Sequence, residues 1–128
     1  MPKPPFLAAL LLLLISSTPS PAACRSSFVC NLVNYTAGDP FSITLNLLFP
    51  DLVEGGSVQP GENYYNNYSY PFSPAYGRSS CSGSLTPGIC KFCLQSTVAA
   101  LIIRCSMAVG GQARIDDCGI RYEQYEFL

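Results

Sequence analysis

Apolar and polar positions along this chain fall into distinct patterns, each predicting a different element. Residues 6–15 are an unbroken apolar run, mostly leucine. Phe41, Leu45, Leu48, Phe49 and Leu52 recur at helical spacing, behind an Asp39-Pro40 start that supplies an N-cap acid and a proline at the first helical position. Pro50 removes a backbone donor and crowds the carbonyl of Asn46, which predicts a kink or an end near Phe49, with Gly55-Gly56 closing the segment. Thr86-Pro87 repeats the cap-plus-proline start. Behind it, Ile89, Cys90, Cys93, Leu94, Thr97, Val98, Leu101, Ile102 and Cys105 form one broad helical face. Residues 113–125 alternate, with Ile115, Ile120, Tyr122 and Tyr125 as the apolar set. That predicts a strand pair turning near Asp116 to Gly119, or one bent strand. Residues 57–74 are dense in Tyr, Asn, Pro and Ser, and predict a mobile loop leading into a strand at about residues 68–72. Strands around two helices give an α+β sandwich.

The first apolar run is too short for a stable bilayer-spanning helix, which needs about 20 residues. With Lys3 before it and the Ser, Pro and Ala of residues 16–23 after it, residues 1–24 read as a secretory signal peptide, cut between Ala22 and Cys24. Residues 25–128 are then a single exported domain with no further membrane span, placed outside the cell in the apoplast. Its charge is slightly acidic: seven Lys and Arg against eight Asp and Glu give −1, and loss of Lys3 makes it −2. Nothing in that balance calls for a nucleic-acid partner.

The chain has seven cysteines and no histidine. The missing histidine excludes a Ser-His-Asp or Cys-His catalytic unit and His-ligated zinc, so we expect no enzyme, metal or cofactor. Export favours disulfides over thiolates. Cys81, Cys90 and Cys93 stand in a C-x8-C-x2-C array, bracketed by Cys30, Cys105 and Cys118, with Cys24 left over. Six cysteines leave the pairing open from sequence alone.

The array comes with flanking motifs: Cys30-Asn31, Pro40-Phe41, Ala75-Tyr76-Gly77-Arg78, Cys105 eleven residues after Cys93, Ala113-Arg114, and Cys118 followed by Ile120-x-Tyr122-Glu123-Gln124. In this combination the chain resembles the ginkbilobin-like plant cysteine-rich secretory module, which also occurs in tandem in the ectodomains of cysteine-rich receptor-like kinases. The resemblance implies two helices packed on an antiparallel sheet of about five strands. It implies three bridges, Cys30 with Cys105, Cys81 with Cys90 and Cys93 with Cys118. It also implies a mannose site built from an Asn, an Arg and a Glu, matched here by Asn31, Arg114 and Glu123. Relative to that pattern, two extra residues lie between Cys105 and Arg114, with Gly110-Gly111-Gln112 in place of a tighter turn.

The chemistry of such a set is simple. A carboxylate accepts from neighbouring sugar hydroxyls, a guanidinium donates through a planar fork, and an amide does both, without metal. The leading expectation is a secreted defence lectin for mannose-containing glycans of fungal walls or glycoproteins, antifungal in effect. The alternative is an apoplastic signalling module binding a receptor ectodomain, with residues 57–74 as its surface. A third class, a small inhibitor of a secreted hydrolase, has no rigid reactive loop to support it. The sequons Asn34-Tyr35-Thr36 and Asn67-Tyr68-Ser69 are candidate glycosylation sites, Asn67 favoured for its loop-like surroundings. An Arg–Glu surface ion pair, a turn role for Asn31 and a turn pair at Asp116-Asp117 are the simpler readings of those residues. Arg104 complements a helix C-terminus.

Overall fold

The computed structural model describes residues 25–69 and 73–127. The signal peptide expected at residues 1–24, with Cys24, lies outside them, as do residues 70–72 of the strand expected at 68–72. The elements are β1 (Ser26–Cys30), α1 (Pro40–Val58), β2 (Tyr64–Ser69), β3 (Pro74–Cys81), α2 (Pro87–Arg104), β4 (Gly111–Ile115) and β5 (Cys118–Glu123). The strands form one antiparallel sheet in the order β1-β4-β5-β3-β2. α1 packs on β2 and β3, and α2 on β4 and β5.

Both helices open as their sequences dictate. The Asp39 carboxylate accepts from the Phe41 N–H (2.9 Å), and the Thr86 hydroxyl from the Ile89 N–H (3.3 Å). α1 does not stop at Pro50. It runs unbroken to Val58, because Pro50 and Asn46 both lie on the exposed side, where water can serve the freed carbonyl, while Leu48, Phe49, Leu52 and Val53 stay buried. Nor do Gly55 and Gly56 close it. A methyl on Gly55 would run into the Tyr64 ring, and one on Gly56 into the Ser79 side chain, so these glycines let the helix lie close on β2 and β3. The buried stripe of α2 is narrower than its apolar pattern. Cys90, Leu94, Thr97 and Leu101 are buried, while Ile89 and Ile102 are more than half exposed.

The expected loop at residues 57–68 shrinks to 59–63: residues 57–58 finish α1 and 64–68 belong to β2. Tyr64, Asn66 and Tyr68 turn toward α1, and Tyr65, Asn67 and Ser69 turn away. Asp51 on α1 accepts from both the Tyr64 hydroxyl (2.8 Å) and the Asn66 amide (2.6 Å), so the polar residues that suggested a loop are satisfied inside a ladder.

The core lies between helices and sheet, with Tyr122 at its centre. Its ring meets Phe49 edge-on at 5.3 Å and its hydroxyl donates to the Ala108 carbonyl (2.9 Å). Three disulfides staple α2 to the sheet. Cys81–Cys90 ties its first turn to β3, Cys93–Cys118 ties it to β5, and Cys30–Cys105 ties its end to β1. Among the described residues no helix is long and apolar enough to cross a membrane.

Candidate functional site

Because strand side chains alternate, the face of the sheet away from the helices is assembled from every second residue. It carries Ser27 and Val29 on β1, Gln112 and Arg114 on β4, Gly119, Arg121 and Glu123 on β5, and Arg78 and Ser80 on β3. Two adjoining recesses on this face hold the candidate residues.

The first recess is lined by Asn31, Gln112, Arg121 and Glu123 over the Cys30 and Gly111 backbone. Glu123 is its one acid and is only 8% exposed. Its Oε2 is buried with no hydrogen-bond partner among the described residues. Burial pushes the carboxyl above its ordinary range, opposed by the Arg121 charge and the Tyr125 hydroxyl. Room for that carboxyl comes from Gly110, where a Cβ would stand 2.6 Å from Oε2. Gly110 in turn accepts from the Asn31 N–H (2.9 Å). The Asn31 side-chain oxygen accepts from the Val33 N–H (2.9 Å), an Asx turn that leaves its Nδ2 group as the outward donor. The Cys30–Cys105 bridge fixes the backbone directly before Asn31.

Asn31 and Glu123 therefore meet at one recess, and Arg114 is not with them. Arg114 sits opposite Gly119, two residues further along β4 than Gln112, which sits opposite Arg121. Two strand residues displace a side chain by about 7 Å on the same face. Arg114 belongs to the second recess, with Arg78, Ser80 and Ser27, while Gln112 and Arg121 border both. The guanidinium at the Glu123 recess is Arg121. The sequence holds a signal for it: Arg121 and Glu123 are two apart on a strand, so they share a face.

The remaining candidates are dispersed. Asn34 is exposed and bridges to Ala108, and Asn67 is exposed on β2, an edge strand and not a loop. Asp116 and Asp117 make the β4–β5 turn, where Asp116 has φ 50° and its carboxylate accepts from the Arg25 N–H (3.1 Å). Arg104 closes α2 and stacks on the Phe28 ring at 4.9 Å. Among the described residues no group of three or more His, Cys, Asp or Glu is placed to hold a metal ion.

Residues 24–125 match the family described as salt stress response/antifungal. The chain is 31% identical over 110 residues to the antifungal protein ginkbilobin-like protein 1 of Picea glauca, covering 83% of this chain and 78% of that one. It is 29% identical over 116 residues to antifungal protein ginkbilobin-2 of Ginkgo biloba, covering 82% and 81%. The crystal structure of a tandem ectodomain from an Arabidopsis thaliana cysteine-rich receptor-like protein superposes with a TM-score of 0.70 at 27% identity, over 80% of this chain and 51% of that one. The chain thus spans about half the length of that ectodomain. A family match over nearly every described residue, with a ginkbilobin-like relative 31% identical across most of both chains, leads to one assignment: this chain belongs to the salt stress response/antifungal family of ginkbilobin-like cysteine-rich modules.

Proposed function

We propose that this is an extracellular defence module that binds mannose-containing glycans, without metal, at the Glu123 recess of the open sheet face. The observation that carries the reading is Glu123, a carboxyl whose buried Oε2 has no hydrogen-bond partner among the described residues, in the lining of a recess that also holds an amide and a guanidinium. A buried acceptor left unmade costs about 1–3 kcal/mol, so a carboxyl that turns this oxygen onto a ligand hydroxyl recovers about that much. Asn31 and Gln112 supply amides, and Arg121 supplies the fork that the family pattern assigned to Arg114. The antifungal relatives agree with a defence role outside the cell. Affinity for one sugar is weak, roughly millimolar, and avidity comes from repeated display on a glycan. Titration of a mannose oligosaccharide, followed by NMR shifts, tests this. Shifts at Gly110, Asn31 and Glu123 that vanish in Glu123→Gln support the reading. No binding, or binding indifferent to Glu123→Gln, overturns it.

A second reading, an interaction module for a receptor ectodomain, is favoured by the edge position of β2. Among the described residues its outer backbone has no neighbouring strand, so a partner strand can add there. Loss of ectodomain co-purification when residues 57–69 are replaced supports this reading, and retention counts against it.

A further inference from the structure

We propose that the second recess is an anion site, and that it takes the carboxylate of an acidic sugar in an oligosaccharide lying across the open sheet face. Of the seven Lys and Arg in the chain, Arg78, Arg114 and Arg121 converge here, and no acid lines the recess. Lys91–Glu54, an ion pair, lies on the helix side, and the carboxylates nearest these guanidiniums, Glu123 beside Arg121 and Asp116 beside Arg114, lie outside the recess lining.

Their placement is specific. Arg78 and Arg121 are directly opposite each other on β3 and β5. Like charges in that relation are destabilising, and nothing in the packing of the core requires them. Arg114 lies across Gly119, where a Cβ would be 2.9 Å from its Nη1, so the absent side chain at 119 lets the third guanidinium lean from β4 toward the other two. The Phe127 ring stacks on Arg121 at 4.1 Å and reaches Arg78 at 5.9 Å, which holds the fork of Arg121 in place without neutralising it. Asp116 borders Arg114 from the far side, at the β4–β5 turn.

The oxyanion matches the guanidinium fork, and carboxylate or phosphate satisfies it equally. Sugar chemistry is favoured by what surrounds the cations. The Ser27 and Ser80 hydroxyls and the Gln112 amide line the same recess, which has room, at about 200 Å³, for a single ring. Gln112 and Arg121 continue into the Glu123 recess, so consecutive sugars of one chain reach both. This inference rests on the reading of the face as carbohydrate-binding, but the two fail separately.

The test titrates the folded protein, at low ionic strength, with trigalacturonate, its methyl ester, a mannose trisaccharide and inorganic phosphate. Trigalacturonate is expected to shift Gly119 and Ser80 and to bind at least tenfold tighter than its ester. Arg78→Gln, Arg114→Gln and Gly119→Ala should each weaken it at least fivefold while leaving the thermal midpoint near that of the parent. Glu123→Gln removes mannose binding and leaves the Gly119 shifts, which separates this site from the other. Equal binding of acid and ester, indifference to the arginine variants, or phosphate binding as tightly as the trisaccharide acid overturns the assignment.

Discussion

Gly110 faces the Glu123 carboxyl so closely that a Cβ at 110 would stand 2.8 Å from its Cδ. The carboxyl can therefore be buried in its recess only while residue 110 has no side chain. Gly110→Ala is expected to push Glu123 out of the recess, with a stability loss of about 1–3 kcal/mol from the forced rearrangement. Sugar binding at the recess should fall with it. Thermal unfolding together with the mannose titration checks this, and an unchanged titration would show that the recess does not depend on Glu123's position.

The same burial sets a pH dependence. Glu123 is raised above its ordinary value of 4.5 in the folded chain. From that value upward, through the raised one, the folded chain holds a proton that the unfolded chain has released. Stability from this group is gained as pH falls through the window and lost as pH rises through it. Glu123→Gln, which is neutral throughout, should flatten this part of the stability–pH curve and be the more stable protein above the window. Denaturant midpoints measured across the acid range decide it, and parallel curves for parent and variant would contradict it.

What the sequence makes legible, and what it hides, follows from period and register. Caps at Asp39 and Thr86 are local chemistry and are readable directly. Tyr122 and Ile120 announce their inward face by alternation. Pro50 misleads because a helix break is a local rule, and the exposure that relieves it is a tertiary fact. Tyr64 and Asn66 look like loop residues until Asp51, on another element, accepts from both. Arg114 has the right type and the right face, but a motif match carries no register. A step of two residues keeps the face and changes the recess, so only the β4–β5 pairing of Gln112 with Arg121 shows which side chains meet.

The disulfides differ in the span each constrains. Cys30–Cys105 closes 75 residues, Cys93–Cys118 closes 25 and Cys81–Cys90 closes 9. Loop-closure entropy ranks their contributions in that order, at roughly 4.5, 3.5 and 2.6 kcal/mol. Paired Cys→Ala variants should follow the same order in denaturant unfolding. The Cys30–Cys105 variant should in addition weaken sugar binding, because Asn31 follows Cys30 directly.

Pro50 offers a gain. It sits on the solvent side of α1, and its ring is the one interruption of that helix's backbone bonding. Pro50→Ala restores a donor toward the Asn46 carbonyl and a better helix former, and is expected to stabilise the fold by about 1 kcal/mol or more. An unchanged or lowered thermal midpoint would mean that α1 depends on the proline for its curvature against the sheet.

Asp51 is the tie between α1 and the edge strand β2. Its Oδ2 accepts from the Tyr64 hydroxyl and the Asn66 amide, and β2 is held on its other side only by β3. Asp51→Ala leaves the Tyr64 hydroxyl without its acceptor and the Asn66 amide with only its longer bond to the Tyr64 oxygen (3.3 Å), at about 1–3 kcal/mol before water replaces the lost partner. The loss should be local, because the disulfides join α2 to β1, β3 and β5 and none reaches β2. Amide hydrogen exchange is the informative measurement. Protection should fall in Tyr64–Ser69 and persist in β4 and β5, and sugar binding on the open face should be unaffected. A uniform loss of protection across the sheet would instead show that β2 and the core open as one unit.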